Sequence, residues 1–341
     1  MKGGHTMNKA DCSGIWVFAE QEGGALSPTV AELLAKAVDL KEKLGGGDKV
    51  VAVLLGKDVS ELAGELFAQG AETVLLAEHK NLARYSTRPY AKVMTALAEK
   101  YRPSIFLLPA SPIGRDVAPR VMCSLRTGLT ADAIDLGVDE DGTFVQTTPN
   151  FGGHILSHIC IPEKRPQMVT VHPRVFTPLA PVAGAVGELI AETVEVEADD
   201  AYEVLESVPL VSDCRPITAS PVLVACGRGV KCQEDMASLE ELARLLGGEL
   251  ASSRPPVDCG WLPHEKQIGQ SGTTVKPKFI LNVAISGSVQ YLAGMQDAGC
   301  IMSVNHTAAA PIWDVTNYGA VADYQKLIPA LLAEVKRRTG K

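Results

Sequence analysis

The chain is 341 residues long, 46% hydrophobic and 21% charged, with a formal net charge of −8 at pH 7. Single hydrophobic cores stop growing efficiently at roughly 250–300 residues, so two domains are expected. The acidic balance gives no basic footprint for a phosphate backbone, which excludes nucleic acid as the expected partner. No run approaches the roughly 20 apolar residues that cross a bilayer, so no membrane insertion is expected.

Residues 1–7 are polar and lack the apolar centre of a secretion signal. Eight cysteines, at positions 12, 123, 160, 214, 226, 232, 259 and 300, include no C-x-x-C pair to grip a metal or a cluster iron. They read as reduced thiols, and a cytoplasmic location is expected.

In chain order, Ile15-Trp16-Val17-Phe18-Ala19 predicts a strand. Pro28 opens a helix with Leu33, Leu34, Ala37, Val38 and Leu40 on one face, and Gly45-Gly46-Gly47 ends it. Strands are predicted over 49–55, 73–76 and 104–109, alternating with helices over 61–69, 89–100 and 116–125. Strand and helix taking turns imply βαβ units and a parallel sheet covered on both faces. Between residues 131 and 177 the period changes, and strands over 143–148, 154–161 and 167–172 joined by turns predict an antiparallel extension. One more edge strand is expected within 191–200.

Residues 203–221 carry Pro209, Pro216 and Pro221 with little periodicity, which suits a linker. The expected division is an N-terminal α/β domain over 1–205, a linker over 206–220 and a C-terminal domain over 221–341. In the latter, strands over 222–226, 279–285 and 300–305 alternate with helices over 234–246, 289–297 and 324–338.

The chemistry-bearing residues gather at the ends of these C-terminal strands. Gly227-Arg228-Gly229 follows the strand at 222–226, where glycine lets a backbone approach a pyrophosphate closely or simply eases a strand-to-helix turn. Ser252-Ser253-Arg254 offers hydroxyls and a guanidinium, although a solvated surface arginine is an equal reading. Gln267-Ile268-Gly269-Gln270-Ser271-Gly272 is too polar and glycine-rich for a core or helix and suits a loop bonding a planar heterocycle. Ile285-Ser286-Gly287-Ser288 lies between a strand and a helix and would turn backbone amides toward a ligand above the sheet.

Other constellations are weaker. His154 and His158 stand about 13 Å apart on a strand, too far to share an ion. Ser111, Ser124 and Ser157 lack a nucleophile-elbow pattern. Trp261 and Trp313 read as packing residues. A nicotinamide-dependent Rossmann oxidoreductase requires G-x-G-x-x-G, yet Gly227-x-Gly229 continues as Val230-Lys231-Cys232. A non-catalytic nucleotide-binding scaffold is the other alternative.

These loops, with Val257-Asp258-Cys259-Gly260-Trp261, the run 289–295, Asn305, Ala310-Pro311-Ile312 and the run 318–323, resemble in order and spacing the FAD domain of electron-transfer flavoprotein alpha subunits. The likeness reaches into the N-terminal part at 114–120, 127–132 and 165–168. It implies two Rossmann-like domains, the second binding FAD, with no catalytic residue and no metal ligand. It further implies that Arg228, Ser253 and Ser286 hold the pyrophosphate while Asn305 and Asp323 address the adenosine end. Arg254 would lie against the isoalloxazine, Gln270 near its pyrimidine carbonyls, and the Ser271 hydroxyl at N5. Gly227, Gly229, Gln267, Gly269, Gly272, Gly287, Gln290 and Tyr291 complete the expected contact set.

The chain departs from the family's pattern at three places. Ser271 replaces the usual threonine, and His306-Thr307 follow Asn305 where lysine and aspartate are usual. Tyr291 replaces a histidine near flavin O2, and a phenol donates only a neutral hydrogen bond where an imidazole can carry charge. The resemblance implies a heterodimer with a beta subunit that carries AMP or a second FAD. Electrons would pass between an acyl-CoA dehydrogenase or the NADH-oxidising beta-subunit flavin and an acceptor. Residues 127–132 and 15–21 resemble bifurcating relatives more closely.

Overall fold

Strand β1 (Ile15–Phe18) is buried along its whole length, and its alternation sets the layers of the first half of the chain. Successive strand residues face opposite sides. Ile15 and Val17 therefore enter one hydrophobic cluster, Trp16 and Phe18 another. The computed structural model describes residues 7, 9–150, 155–199, 201, 204–206 and 215–339. The chain divides into two units, Met1–Leu205 and Glu206–Lys341.

After β1, the first unit runs through β2 (Gln21–Glu22), β3 (Ala25–Leu26), α1 (Pro28–Lys43), β4 (Val50–Gly56), α2 (Leu62–Ala68), β5 (Thr73–Glu78), α3 (Thr87–Tyr101) and β6 (Ile105–Pro109). It continues through α4 (Pro112–Leu125), β7 (Leu129–Ala133), β8 (Asp135–Val138), β9 (Phe144–Asn150), β10 (Ile155–Ile159), β11 (Gln167–Val171) and β12 (Glu188–Glu192). A seven-stranded sheet has the order β12-β5-β4-β1-β6-β11-β7, and every neighbouring pair is parallel. Leu33, Leu34 and Leu40 of α1 and Leu66 of α2 pack on one face. Met94 and Leu97 of α3 and Val117 and Val121 of α4 pack on the other. There Trp16 meets Phe106 edge to face, with centroids 5.4 Å apart, a pairing worth about 1 kcal/mol beyond its buried area.

The antiparallel portion is a separate three-stranded sheet of order β10-β9-β8. Gln167–Val171, expected to belong to it, instead joins the main sheet in parallel beside β6. The reason lies in its burial: all five residues are buried, which is the setting of a central parallel strand. Helix α4 begins at Pro112, four residues ahead of its expected start at 116, because Ser111 caps it and accepts the Gly114 N–H at 2.9 Å. The edge strand expected within 191–200 is β12, shifted toward the N-terminus and paired with β5. His154 and the preceding Gly152-Gly153 lie outside the described residues. His158 shares a 3.0 Å hydrogen bond with Thr147.

The second unit contains β13 (Val222–Cys226), α5 (Asp235–Leu245), β14 (Glu249–Ser252), α6 (Arg254–Asp258), β15 (Phe279–Val283), α7 (Val289–Leu292), β16 (Ile301–Asn305), β17 (Tyr318–Val321) and α8 (Tyr324–Thr339). Its five-stranded sheet, β14-β13-β15-β16-β17, is parallel throughout. Helices α5 and α8 cover one face through Leu239, Leu242, Ile328 and Leu332. The other face is covered largely by loops, through Ile268, Tyr291, Met295 and Ile312, together with Ile217. Thus the molecule is an α/β protein with two parallel sheets.

The helix expected over 289–297 is a single turn followed by hydrogen-bonded turns. Gly294 lies so close to Gly269 that a Cβ on it would stand 2.5 Å from the Gly269 nitrogen. Close approach of the two backbones, rather than helix propensity, decides the conformation there. Among the described residues no helix is long and apolar enough to cross a membrane.

Candidate cofactor site

The chain leaves β13 for β14 on one side and returns across β13 to β15 on the other. Such a reversal of strand order opens a crevice beyond the carboxyl ends of parallel strands. A cleft of about 490 Å³ opens in this unit, lined by the loops that follow β13, β14 and β15 and by the loop 267–272. That volume lies within the range of roughly 300–1,000 Å³ typical of ligand sites.

The loop after β13 lies flat on the loop after β15. Gly227 donates to Val283 O at 2.9 Å and Gly229 to Ala284 O at 3.1 Å. These glycines join the two loops and leave Arg228 between them, exposed and lining the cleft. Neither glycine lines it.

From β14 the chain passes through Ser253, whose N–H donates to Cys226 O at 2.9 Å. Arg254 follows as the first residue of α6, a helix that the sequence pattern did not predict. Its Nε lies 3.1 Å from Asp258 Oδ2, one helical turn on, and both side chains line the cleft. Both are more than half exposed, so the pair contributes only about 0.3–0.5 kcal/mol. Its value is positional. Asp258 is a lining residue not expected from the sequence, although its spacing of four from Arg254 was the available signal.

The loop 267–272 is fastened from inside. Gln267 is 3% exposed, and its Nε2 donates to Ser271 Oγ at 3.1 Å. Gly269 takes φ +136°, open only to glycine, and a Cβ there would stand 2.9 Å from Gln290 O. Gln270 donates its N–H to that same carbonyl at 2.8 Å. Gln267, Gly269, Gln270, Ser271 and Gln290 all line the cleft. Gly272 does not; it closes the loop by donating to Gly269 O at 2.9 Å.

Ser286 and Gly287 line the cleft from the loop after β15. Gly287 has φ +83°, and a Cβ on it would overlap the Ile312 nitrogen. Asn305 stands behind this wall and does not line the cleft. It is 5% exposed, donates through Nδ2 to Ile285 O at 2.7 Å and accepts the Thr307 N–H at 2.9 Å. Each end of its amide thus makes one hydrogen bond to the protein. Asp323 is also absent from the lining, and its carboxylate accepts the Gln325 N–H at 3.0 Å where α8 begins.

Tyr291 lines the cleft but turns its hydroxyl away, donating at 2.6 Å to Oδ1 of Asn282 in the middle of β15. Burial holds this phenol well above the usual tyrosine range, so it stays protonated. The neutral hydrogen bond expected from Tyr291 toward a bound ring is instead committed to the sheet. Cys226 lies buried at the end of β13, where burial pushes its thiol up to about 12 and leaves it inert. Among the described residues no cluster of three or more His, Cys, Asp or Glu side chains stands ready for a metal.

Comparison with known proteins matches residues 15–201 to the electron transfer flavoprotein domain and residues 216–296 to the electron transfer flavoprotein FAD-binding domain. The chain is 42% identical to the electron transfer flavoprotein subunit alpha of Clostridium acetobutylicum, over 97% of this chain and 99% of that protein. It is 36% identical to the lactate dehydrogenase (NAD(+),ferredoxin) subunit LctC of Acetobacterium woodii, over 97% of this chain and 78% of that protein. It is 34% identical to the acryloyl-CoA reductase electron transfer subunit beta of Anaerotignum propionicum, over 96% and 98% respectively.

Proposed function

The chain belongs to the alpha-subunit family of electron-transfer flavoproteins, and we propose that the cleft beyond β13, β14 and β15 is where it holds the FAD of that family. FAD, when bound, supplies a carrier that takes up and releases electrons one or two at a time. One observation carries the placement. Three adjacent strand ends aim Arg228, Ser253, Arg254 and Ser286 into a single cleft, and Asp258, the acidic residue lining it among the described residues, is already paired with Arg254. Such a donor set fits a pyrophosphate and an electron-rich ring, and Gly287 lets the loop after β15 pack directly on the backbone of Pro311 and Ile312.

In this reading Arg228, Ser253 and Ser286 bind the pyrophosphate, Gln270 addresses the ring's polar edge, and Ser271 donates to a ring nitrogen. Arg254, steadied by Asp258, presents its guanidinium to the ring. Asn305 acts behind the wall, holding the loop after β15 through Ile285 O. Asp323 is assigned to the adenosine end. In domain terms, residues 1–205 serve as the scaffold that docks a partner, 206–220 as the linker and 221–341 as the FAD-binding domain.

Alpha subunits of this family pair with a beta subunit. The names of the lactate dehydrogenase (NAD(+),ferredoxin) and acryloyl-CoA reductase relatives support a finer reading. Electrons enter from an NADH-oxidising flavin in the beta subunit and leave to an acyl-CoA dehydrogenase-type flavoprotein. The free cysteines among the described residues support a cytoplasmic setting.

The test is a visible absorbance spectrum of the chain purified with its beta subunit, before and after NADH. A yellow complex bleached by NADH is expected. A colourless complex, or one whose only FAD stays with the beta subunit when the two are separated, overturns FAD binding by this chain. A yellow complex untouched by NADH, yet bleached by an acyl-CoA dehydrogenase with its substrate, leaves the FAD reading standing and removes the NADH step.

A further inference from the structure

Ser271 is exposed in the cleft while Gln267 beside it is 3% exposed. A hydroxyl has one hydrogen and two lone pairs. When a neighbouring N–H occupies one lone pair, the hydrogen is left to point elsewhere. Gln267 Nε2 occupies the Ser271 oxygen from the protein side at 3.1 Å, and the side left for the hydrogen is the cleft.

The glutamine is itself pinned. Its N–H donates to His264 O at 2.9 Å, and its carbonyl accepts the Thr273 N–H at 2.8 Å. Gly272 packs so closely that a Cβ on it would stand 2.9 Å from Gln267 Cγ. A buried amide held along its backbone and at its Cγ does not swing out to serve a ligand directly.

We propose that Gln267 is a positioning residue that fixes Ser271 as a hydrogen-bond donor to the cleft. This rests on the reading of the cleft as the FAD site. A ring nitrogen placed opposite Ser271 then meets a hydroxyl with one lone pair already taken from the protein side, which favours the hydrogen facing it. Gln267, although it borders the cleft, thereby exerts its effect through Ser271.

The test titrates FAD into the apo form of the alpha–beta complex, carrying Gln267→Met, Ser271→Ala or both, with melting temperature recorded to report folding. Gln267→Met keeps the volume and removes the amide. It is expected to weaken FAD binding about 2- to 10-fold, the worth of one neutral hydrogen bond. The double variant is expected to bind no worse than Ser271→Ala alone. Fully additive losses would mean that Gln267 acts independently of Ser271 and would overturn the proposal.

Gln267→Glu supplies a second arm, measured as the pH dependence of FAD affinity and of the flavin midpoint potential. A protonated glutamic acid can still donate to Ser271, whereas its carboxylate can only accept and draws the hydroxyl hydrogen inward. Relative to wild type, the variant is expected to behave normally at low pH and like Ser271→Ala at high pH. A pH-independent defect marks a merely structural role, and no defect at either pH marks an amide facing the other way; both overturn the proposal. Wild-type complex that binds no FAD overturns the reading of the cleft and this inference together, whereas FAD-binding wild type with additive losses removes only the inference.

Discussion

The two units place a reversal of strand order at the same point, their first strand. β1 lies between β4 and β6, as β13 lies between β14 and β15. The residues just past each strand are of opposite character. Beyond β1 comes Glu20, nine-tenths buried, accepting a hydrogen bond from the Ser111 hydroxyl that caps α4. Next, Gln21 Nε2 donates to Leu55 O at 3.1 Å. Beyond β13 comes Gly227-Arg228-Gly229, and the crevice there is lined by guanidinium and hydroxyl groups. The same topology stands in both units, and one or two side chains decide what each strand end can hold. A carboxyl group buried against the cap of α4 fills that strand end and offers a phosphate no cation, whereas an arginine flanked by glycines invites one.

The largest effect expected from breaking this contrast is that of Gly287→Val. Its φ of +83° excludes a β-branched residue, and the new Cβ overlaps the Ile312 nitrogen. Strain and overlap together predict a loss of about 3 kcal/mol or more in stability of the second unit. Urea unfolding measures it, and FAD binding should fall with it. A stable variant with normal FAD binding would show that this wall does not shape the cleft.

Tyr291→Phe is expected to be intermediate. It leaves Asn282 Oδ1 buried without its 2.6 Å partner, which costs about 1–3 kcal/mol. Since the hydroxyl points into the sheet, the flavin's midpoint potential should barely move. A potential that shifts while stability holds would place the phenol against the cofactor instead. Asn282 shows how this was legible in part. An amide at the centre of Phe279–Val283, an apolar strand, must find a partner inside the protein, but only the fold reveals that the partner is Tyr291. The strand-end loops were readable because glycine, serine and arginine cluster there against apolar strands. The sequence pattern does not reveal helix α6, because Pro255-Pro256 in Arg254–Asp258 masks a one-turn helix, and prolines are tolerated in a first turn. Nor does it reveal β7, because Thr130 and Asp132 interrupt its apolar pattern and Asp132 adopts φ 55°. For Asn305, sequence shows the amide's chemistry and not that one donor and one acceptor are held by Ile285 O and the Thr307 N–H.

The smallest effect is the most direct test of the first unit's strand end. Burial is the main cause that raises the Glu20 carboxyl above its ordinary value, with nearby Glu22 adding to it and the Ser111 hydrogen bond opposing. The folded chain therefore keeps this proton at pH values where the unfolded chain has lost it. With more protons bound in the folded state, stability must fall as pH rises from the ordinary glutamate range to the raised folded value, and level off above it. Glu20→Gln removes the titration, so the stability of wild type relative to the variant should decline over that window and be constant on either side. Urea denaturation of both proteins across the mildly acidic range measures the difference. If wild type instead gains on the variant as pH rises, Glu20 is an ionised group welcomed by its surroundings. The end of β1 would then favour an anion as that of β13 does, and the contrast between the two units would lie elsewhere than in this carboxylate.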